Sequence, residues 1–157
     1  MAVSKMLEGF CADIEDLLPD GHFRRAVRHA LALPEICSAL EDPALRGSDE
    51  QYLAWSARWV HLPYGKGPFP VGVRLLRLHK RSRLDAANWL TALRVRRNAR
   101  SYRGLGRPQL SQPANPLEVF ETTLCVALVD AARRWYAEHG RTDRTVQSNL
   151  GKLLIAR

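Results

Sequence analysis

The sequence is short of cysteine. Its 157 residues hold three, Cys11, Cys37 and Cys125, and no two of them form a C-x2-C pair. That spacing excludes the usual structural zinc sites and a disulfide framework. Each cysteine falls in an apolar helical pattern, so a buried, reduced thiol is expected at all three. No apolar run approaches the roughly 18 residues that a membrane-spanning helix needs, so no membrane partner is expected. The opening M-A-V-S-K-M-L-E-G-F has no continuous apolar core of the kind a secretory signal carries, and the expectation is a cytoplasmic protein. G-x-S-x-G, the glycine-rich phosphate loop and H-E-x-x-H are all missing, which excludes hydrolase elbows, nucleotide P-loops and zincins. Neither a metal nor an organic cofactor is expected.

Acid is scarce in one region only. Between His61 and Gln112 twelve Lys and Arg stand against a single acid, Asp85, whereas the rest of the chain is slightly acidic and the whole carries +8. A basic block of this kind concentrates polyanions, of which nucleic acid is the commonest in cytosol. The plainer reading is a solvated Arg-rich surface. Over the whole chain the composition, 46% hydrophobic and 25% charged, is that of a globular protein with one core.

The periodicity predicts a mainly α, single-domain bundle of six or seven helices over residues 1–157, with room for a small β-hairpin between Val95 and Leu110. The first helix runs from Ser4, as N-cap, to Leu18, with Asp13, Glu15 and Asp16 on its wet side. Asp20 is placed to cap a second, which is expected to break near Pro34. Ser48 and Gln51 form the S-x-x-Q capping box of a third, in which Tyr52, Trp55 and Trp59 recur at helical spacing and read as core. H-L-P-Y-G-K-G-P-F-P is a loop, and it leads into a helical segment ending near Arg83. Asp85 is positioned to cap a helix through Leu93. After a second breaker-rich stretch, Asn115 and Pro116 open the longest helix, which Gly140 stops, and Thr142 begins the last.

Within the fourth segment, F-P-V-G-V-R-L-L-R-L-H-K-R-S-R, Arg74 and His79 form an R-x4-H pair. On a helix they lie about 140° apart, close enough to border one groove. A guanidinium can fork onto phosphate oxygens, and an imidazole can move a proton near neutrality. Spacing alone does not select this pair, because R-x4 or R-x5 also precedes His29 (Arg24) and His139 (Arg133 and Arg134).

Several other stretches carry a resemblance. D-G-H-F-R-R-A-V, L-P-E-I-C-S-A-L-E, Y-L-A-W-S-A-R-W-V, L-C-V-A-L-V-D-A-A-R-R-W-Y and V-Q-S-N-L-G-K-L-L together resemble small bacterial helical proteins of the HEPN superfamily, in its plasmid-encoded HEPN-like group. The resemblance covers residues 20–62 and 120–155. It implies an R-x4-H motif in the middle of the chain, where Arg74 and His79 stand. It also implies metal-independent RNA cleavage at a composite site in a homodimer, with an antitoxin or accessory protein as a further partner. In that mechanism His79 handles proton transfer at the 2′-hydroxyl or leaving oxygen, and Arg74 stabilises charge on the phosphoryl oxygens. Arg77, Lys80, Arg81 and Arg83 grip the RNA backbone. The chain departs from the family's C-Y-x-L-R-x4-H-Q-G pattern, with P-F-P-V-G-V before Arg74 and Lys80-Arg81 after His79. A second expectation therefore stands beside the endoribonuclease: a non-catalytic nucleic-acid-binding or accessory module. A third is a structural partner protein in which Arg74 and His79 have no ligand.

Overall fold

A computed structural model describes residues 2–62, 70–82 and 116–155. Six α-helices occupy them: α1 (Ala2–Leu17), α2 (Phe23–Glu41), α3 (Asp49–Trp59), α4 (Val71–Ser82), α5 (Pro116–Trp135) and α6 (Arg144–Ile155). A π-turn, Tyr136–Gly140, continues α5. No strand occurs among the described residues, and the expected mainly α bundle is what forms. Arg83, the Asp85 helix, the Val95–Leu110 hairpin and the Asn115 cap lie outside the described residues.

The bundle is built on α2, which contacts all five other helices. From Ala30 to Leu40 every residue except Glu35 is buried. This explains why the expected break at Pro34 does not occur and the helix runs unbroken to Glu41. Proline withdraws one N–H from the ladder and costs about 3 kcal/mol in an exposed helix. Here the buried side chains of Leu31, Leu33, Ile36 and Leu40, each worth about 1.5–3 kcal/mol, outweigh that penalty. The carbonyl of Leu31, one turn before the proline, also accepts a hydrogen bond from the Tyr52 hydroxyl at 2.8 Å.

Helix starts follow backbone geometry more closely than the first suitable capping residue. The Ser48 box forms as expected: Ser48 Oγ accepts the Gln51 N–H at 3.1 Å, and Gln51 Oε1 accepts the Ser48 N–H at 3.0 Å. Ser4 instead lies inside α1. Asp20 sits in a turn closed by Gly21 at φ 79°, so α2 begins two residues later, with His22 at its N-cap position. Asp143, not Thr142, caps α6, its Oδ1 accepting the Val146 N–H at 2.9 Å. Asp13 is buried rather than on the wet side of α1. Glu15 is exposed as expected, and with Glu8 it holds the Arg133 guanidinium of α5.

The α2–α3 connection depends on one carboxylate. Asp42 Oδ1 accepts the Ala44 N–H at 2.9 Å, and Oδ2 accepts the Gln51 amide at 3.1 Å. Chiefly the Ala44 bond, and then Gln51, holds this carboxyl below its ordinary pKa of 3.8. A depressed carboxyl stabilises the fold above its unfolded-state pKa and loses that contribution as pH falls through the folded value. Asp42→Asn is therefore expected to melt below wild type near neutrality, where the contribution is present, and to converge on wild type as pH falls below about 4. Melting temperatures recorded from pH 7 to pH 2 test this.

All three cysteines are buried free thiols. Burial, with Cys11 and Glu41 adding, pushes the Cys37 thiol well up, and burial with Glu121 pushes Cys125 up to about 12. Thiolate is the reactive form. A thiol-reactive disulfide reagent at pH 8 is expected to label none of the three in the native protein and all three in denaturant; rapid native labelling would contradict this packing.

Candidate nucleic-acid interface

Helix α4 is polar on one side and tightly seated on the other. Gly72 is where it comes closest to α3: a methyl group there would lie 3.2 Å from the Leu53 carbonyl oxygen and 3.3 Å from Ser56 Cβ. Glycine is what lets the two backbones meet at this point. One turn on, Leu75 is buried in the core, and after another turn so is His79. The period of 3.6 residues carries this inward face along 72, 75 and 79.

His79 is held from two directions. Its Nε2 lies 2.7 Å from Glu35 Oε2 of α2, within the range of charge-assisted hydrogen bonds. Its ring stacks on Tyr52 of α3, with centroids 5.4 Å apart and planes inclined by 13°. Tyr52 in turn is fixed by its bond to Leu31, and burial together with the Glu35 charge pushes its phenol far above the ordinary range. Glu35, His79 and Tyr52 thus form one polar clasp where α2, α3 and α4 meet. The carboxylate is needed there because an imidazole this deep must satisfy its polar atoms inside the protein.

Arg74 leaves α4 on a different side. At about 100° per residue, Arg74, Arg77 and Arg81 fall within an arc of roughly 60°, whereas His79 lies about 140° from Arg74. Arg77 and Arg81 are exposed and Arg74 is half-buried. Lys80, also exposed, is paired with Asp49 at the start of α3, at 2.5 Å. Both partners are more than half exposed, so this pair contributes at most about 1 kcal/mol and opens readily. The sequence-predicted catalytic pair is therefore split. Arg74 borders a basic stripe, and His79 is directed into the bundle.

The two alternative Arg–His pairs also serve packing. The His29 ring meets Phe10 edge-on at 5.7 Å. Arg134 donates to the Trp59 carbonyl at 2.7 Å and to Asp130 at 2.8 Å. His139 lies at the π-turn 3.7 Å from Glu41 and 3.5 Å from Asp143. Glu41 also accepts the Trp135 indole N–H at 2.5 Å. Among the described residues, no cluster of His, Cys, Asp or Glu is placed to hold a metal ion, and no helix is long and apolar enough to cross a membrane.

Sequence reasoning missed Glu35 and Glu41. Glu35 had a signal: it is the lone acid in the apolar run Leu31–Cys37, and an acid so placed needs a partner. The partner, His79, is 44 residues away, and only the tertiary fold identifies it. The chain matches no protein-family model, no curated protein and no solved structure.

Proposed function

We propose that this protein is a non-catalytic nucleic-acid-binding module that takes single-stranded RNA along α4. The observation that carries the reading is the division of that helix: Arg74, Arg77 and Arg81 share its outer side while His79 is tied to Glu35. An outward row of guanidiniums with a rise of about 1.5 Å per residue spans roughly 10 Å over these positions, enough to meet successive phosphates. Lys80 adds a further cation once its exposed pair with Asp49 gives way to a phosphate. Such contacts recognise the backbone and not the bases.

The HEPN-like endoribonuclease asks more of the same residues. His79 would have to leave Glu35 and Tyr52 and turn out of the core to reach a 2′-hydroxyl beside Arg74. A single assay separates the readings. Purified protein is incubated with total RNA in EDTA, and in parallel titrated with fluorescent single-stranded RNA at several salt concentrations. The binding module predicts intact RNA and an affinity that falls steeply with salt. Fragments ending in 2′,3′-cyclic phosphate would restore the ribonuclease, and absence of binding at low salt would exclude both readings.

A further inference from the structure

A cleft of about 520 Å³, within the size range of small-molecule sites, opens at the end of the bundle where α2 and α5 begin. The two helices run in parallel, since Arg24 acts on Glu121 near their starts while Glu41 takes the Trp135 indole near their ends. Both positive helix ends therefore reach this cleft. Phe23, Arg24 and Arg25 line it from α2, and Leu117, Glu118 and Glu121 line it from α5. None of these belongs to α4, so the cleft is separate from the arginine row.

The α2 wall offers donors. Ala26 makes the first amide bond of that helix, to the His22 carbonyl at 3.0 Å, and His22 supplies no side-chain cap. The N–H groups of Phe23, Arg24 and Arg25 thus lie ahead of the ladder. Arg24 and Arg25 are exposed, and their guanidiniums add to this seat for an anionic group.

The α5 wall holds an acceptor with nothing to accept. Glu121 is only 9% exposed, and it makes no hydrogen bond or ion pair among the described residues. Its oxygens are not sealed from solvent, so the little surface this side chain keeps includes its charged end, at the cleft. Burial raises the carboxyl above its ordinary range, with Arg24 opposing and Glu118 adding to the shift. A cation entering the cleft compensates this charge. Leu117, 58% exposed, adds apolar surface beside it.

We propose that this cleft binds a free apolar α-amino acid, its carboxylate on the α2 amides with Arg24 and Arg25, its ammonium on Glu121 and its side chain against Leu117 and Phe23. A zwitterion is selected because the walls balance, two arginines against two glutamates. A simple anion or a simple cation leaves one of the two walls uncompensated.

Calorimetric titration of the full chain with L-leucine tests the assignment. N-acetyl-leucine, which lacks the ammonium, and leucinamide, which lacks the carboxylate, are the controls. L-leucine is expected to bind, and each control to bind roughly tenfold more weakly or worse, about the loss of one charge-assisted hydrogen bond. Glu121→Gln keeps the shape and removes the charge. It is expected to weaken leucine binding by a similar factor while melting at or above wild type, because an uncompensated buried charge is gone. Arg24→Ala, at an exposed position, is expected to weaken leucine binding with an unchanged melting temperature. No leucine binding, equal affinity for leucine and both blocked forms, or wild-type affinity in both variants would overturn the proposal.

Discussion

Replacing His79 with alanine is expected to lower the melting temperature by roughly 6–12 °C. Removing the partner of a buried carboxylate costs about 3–5 kcal/mol, because the charge that remains is left uncompensated. Glu35 retains some access to water, its side chain being 16% exposed, which places the loss near the lower end, at about 3 kcal/mol. For a chain of this size each kcal/mol moves the midpoint by about 2–4 °C. The lost stacking on Tyr52 acts in the same direction. Glu35→Ala should reproduce much of the loss, whereas Glu35→Gln, which keeps an acceptor opposite Nε2, should cost less. The double variant Glu35→Ala with His79→Ala should be less destabilised than the sum of the single variants, because neither group is then left unpaired. A His79→Ala variant melting with wild type would show that the clasp contributes nothing to the bundle.

The second large effect belongs to the outer side of α4. Reversing two charges there, in Arg77→Glu with Arg81→Glu, is expected to weaken single-stranded RNA binding on the order of a hundredfold near physiological salt. The estimate follows from counterion release: each phosphate contact changes the logarithmic salt slope by about 0.7, and the pair changes the local charge by four. Both positions are exposed, so melting should move by no more than about 0.5 kcal/mol in stability. Neutral replacement of Arg74, Arg77 and Arg81 together should flatten the salt slope by about 2. Fluorescence anisotropy at three or four salt concentrations reads both quantities. An unchanged slope would move the RNA contact off α4.

These two effects come from residues only a few positions apart on one helix, and the sequence separates them poorly. R-x4-H spacing is compatible with one shared groove, and the basic composition of the region encourages that reading. What decides against it is the seat of the helix. Gly72 and Leu75 commit one face to the core, and periodicity then carries His79 inward with them. That face is present in the period, Gly72, Leu75 and His79 recurring at helical spacing, but the basic residues between them drew the reading outward. The partner across it was not legible, because Glu35 belongs to a helix expected to break at Pro34.

The misreading at Pro34 has a physical origin. Local propensity sees a missing N–H, whereas the tertiary structure surrounds that turn with apolar neighbours whose burial outweighs the lost bond. Capping shows the same contrast. Ser48 and Gln51 satisfy each other within four residues, so their box was readable. Asp143 was overlooked in favour of Thr142, because both are good caps and only the backbone path selects between them. The aromatic stripe of α3 was correctly read as core, but the edge-on packing of Trp55 on Trp135, 80 positions further along, belongs to the tertiary fold alone.

The division of labour on α4 is best tested by comparing His79→Ala with the Arg74→Ala, Arg77→Ala, Arg81→Ala triple variant in one experiment. Both are titrated with the same fluorescent single-stranded RNA at a temperature well below the lower melting point, and their RNA is examined for cleavage in EDTA. The account predicts that His79→Ala melts early yet binds within about twofold of wild type, while the triple variant melts normally and loses most of its affinity, with RNA intact throughout. Cleavage by wild type that vanishes in His79→Ala, or RNA binding retained in full by the triple variant, would contradict it.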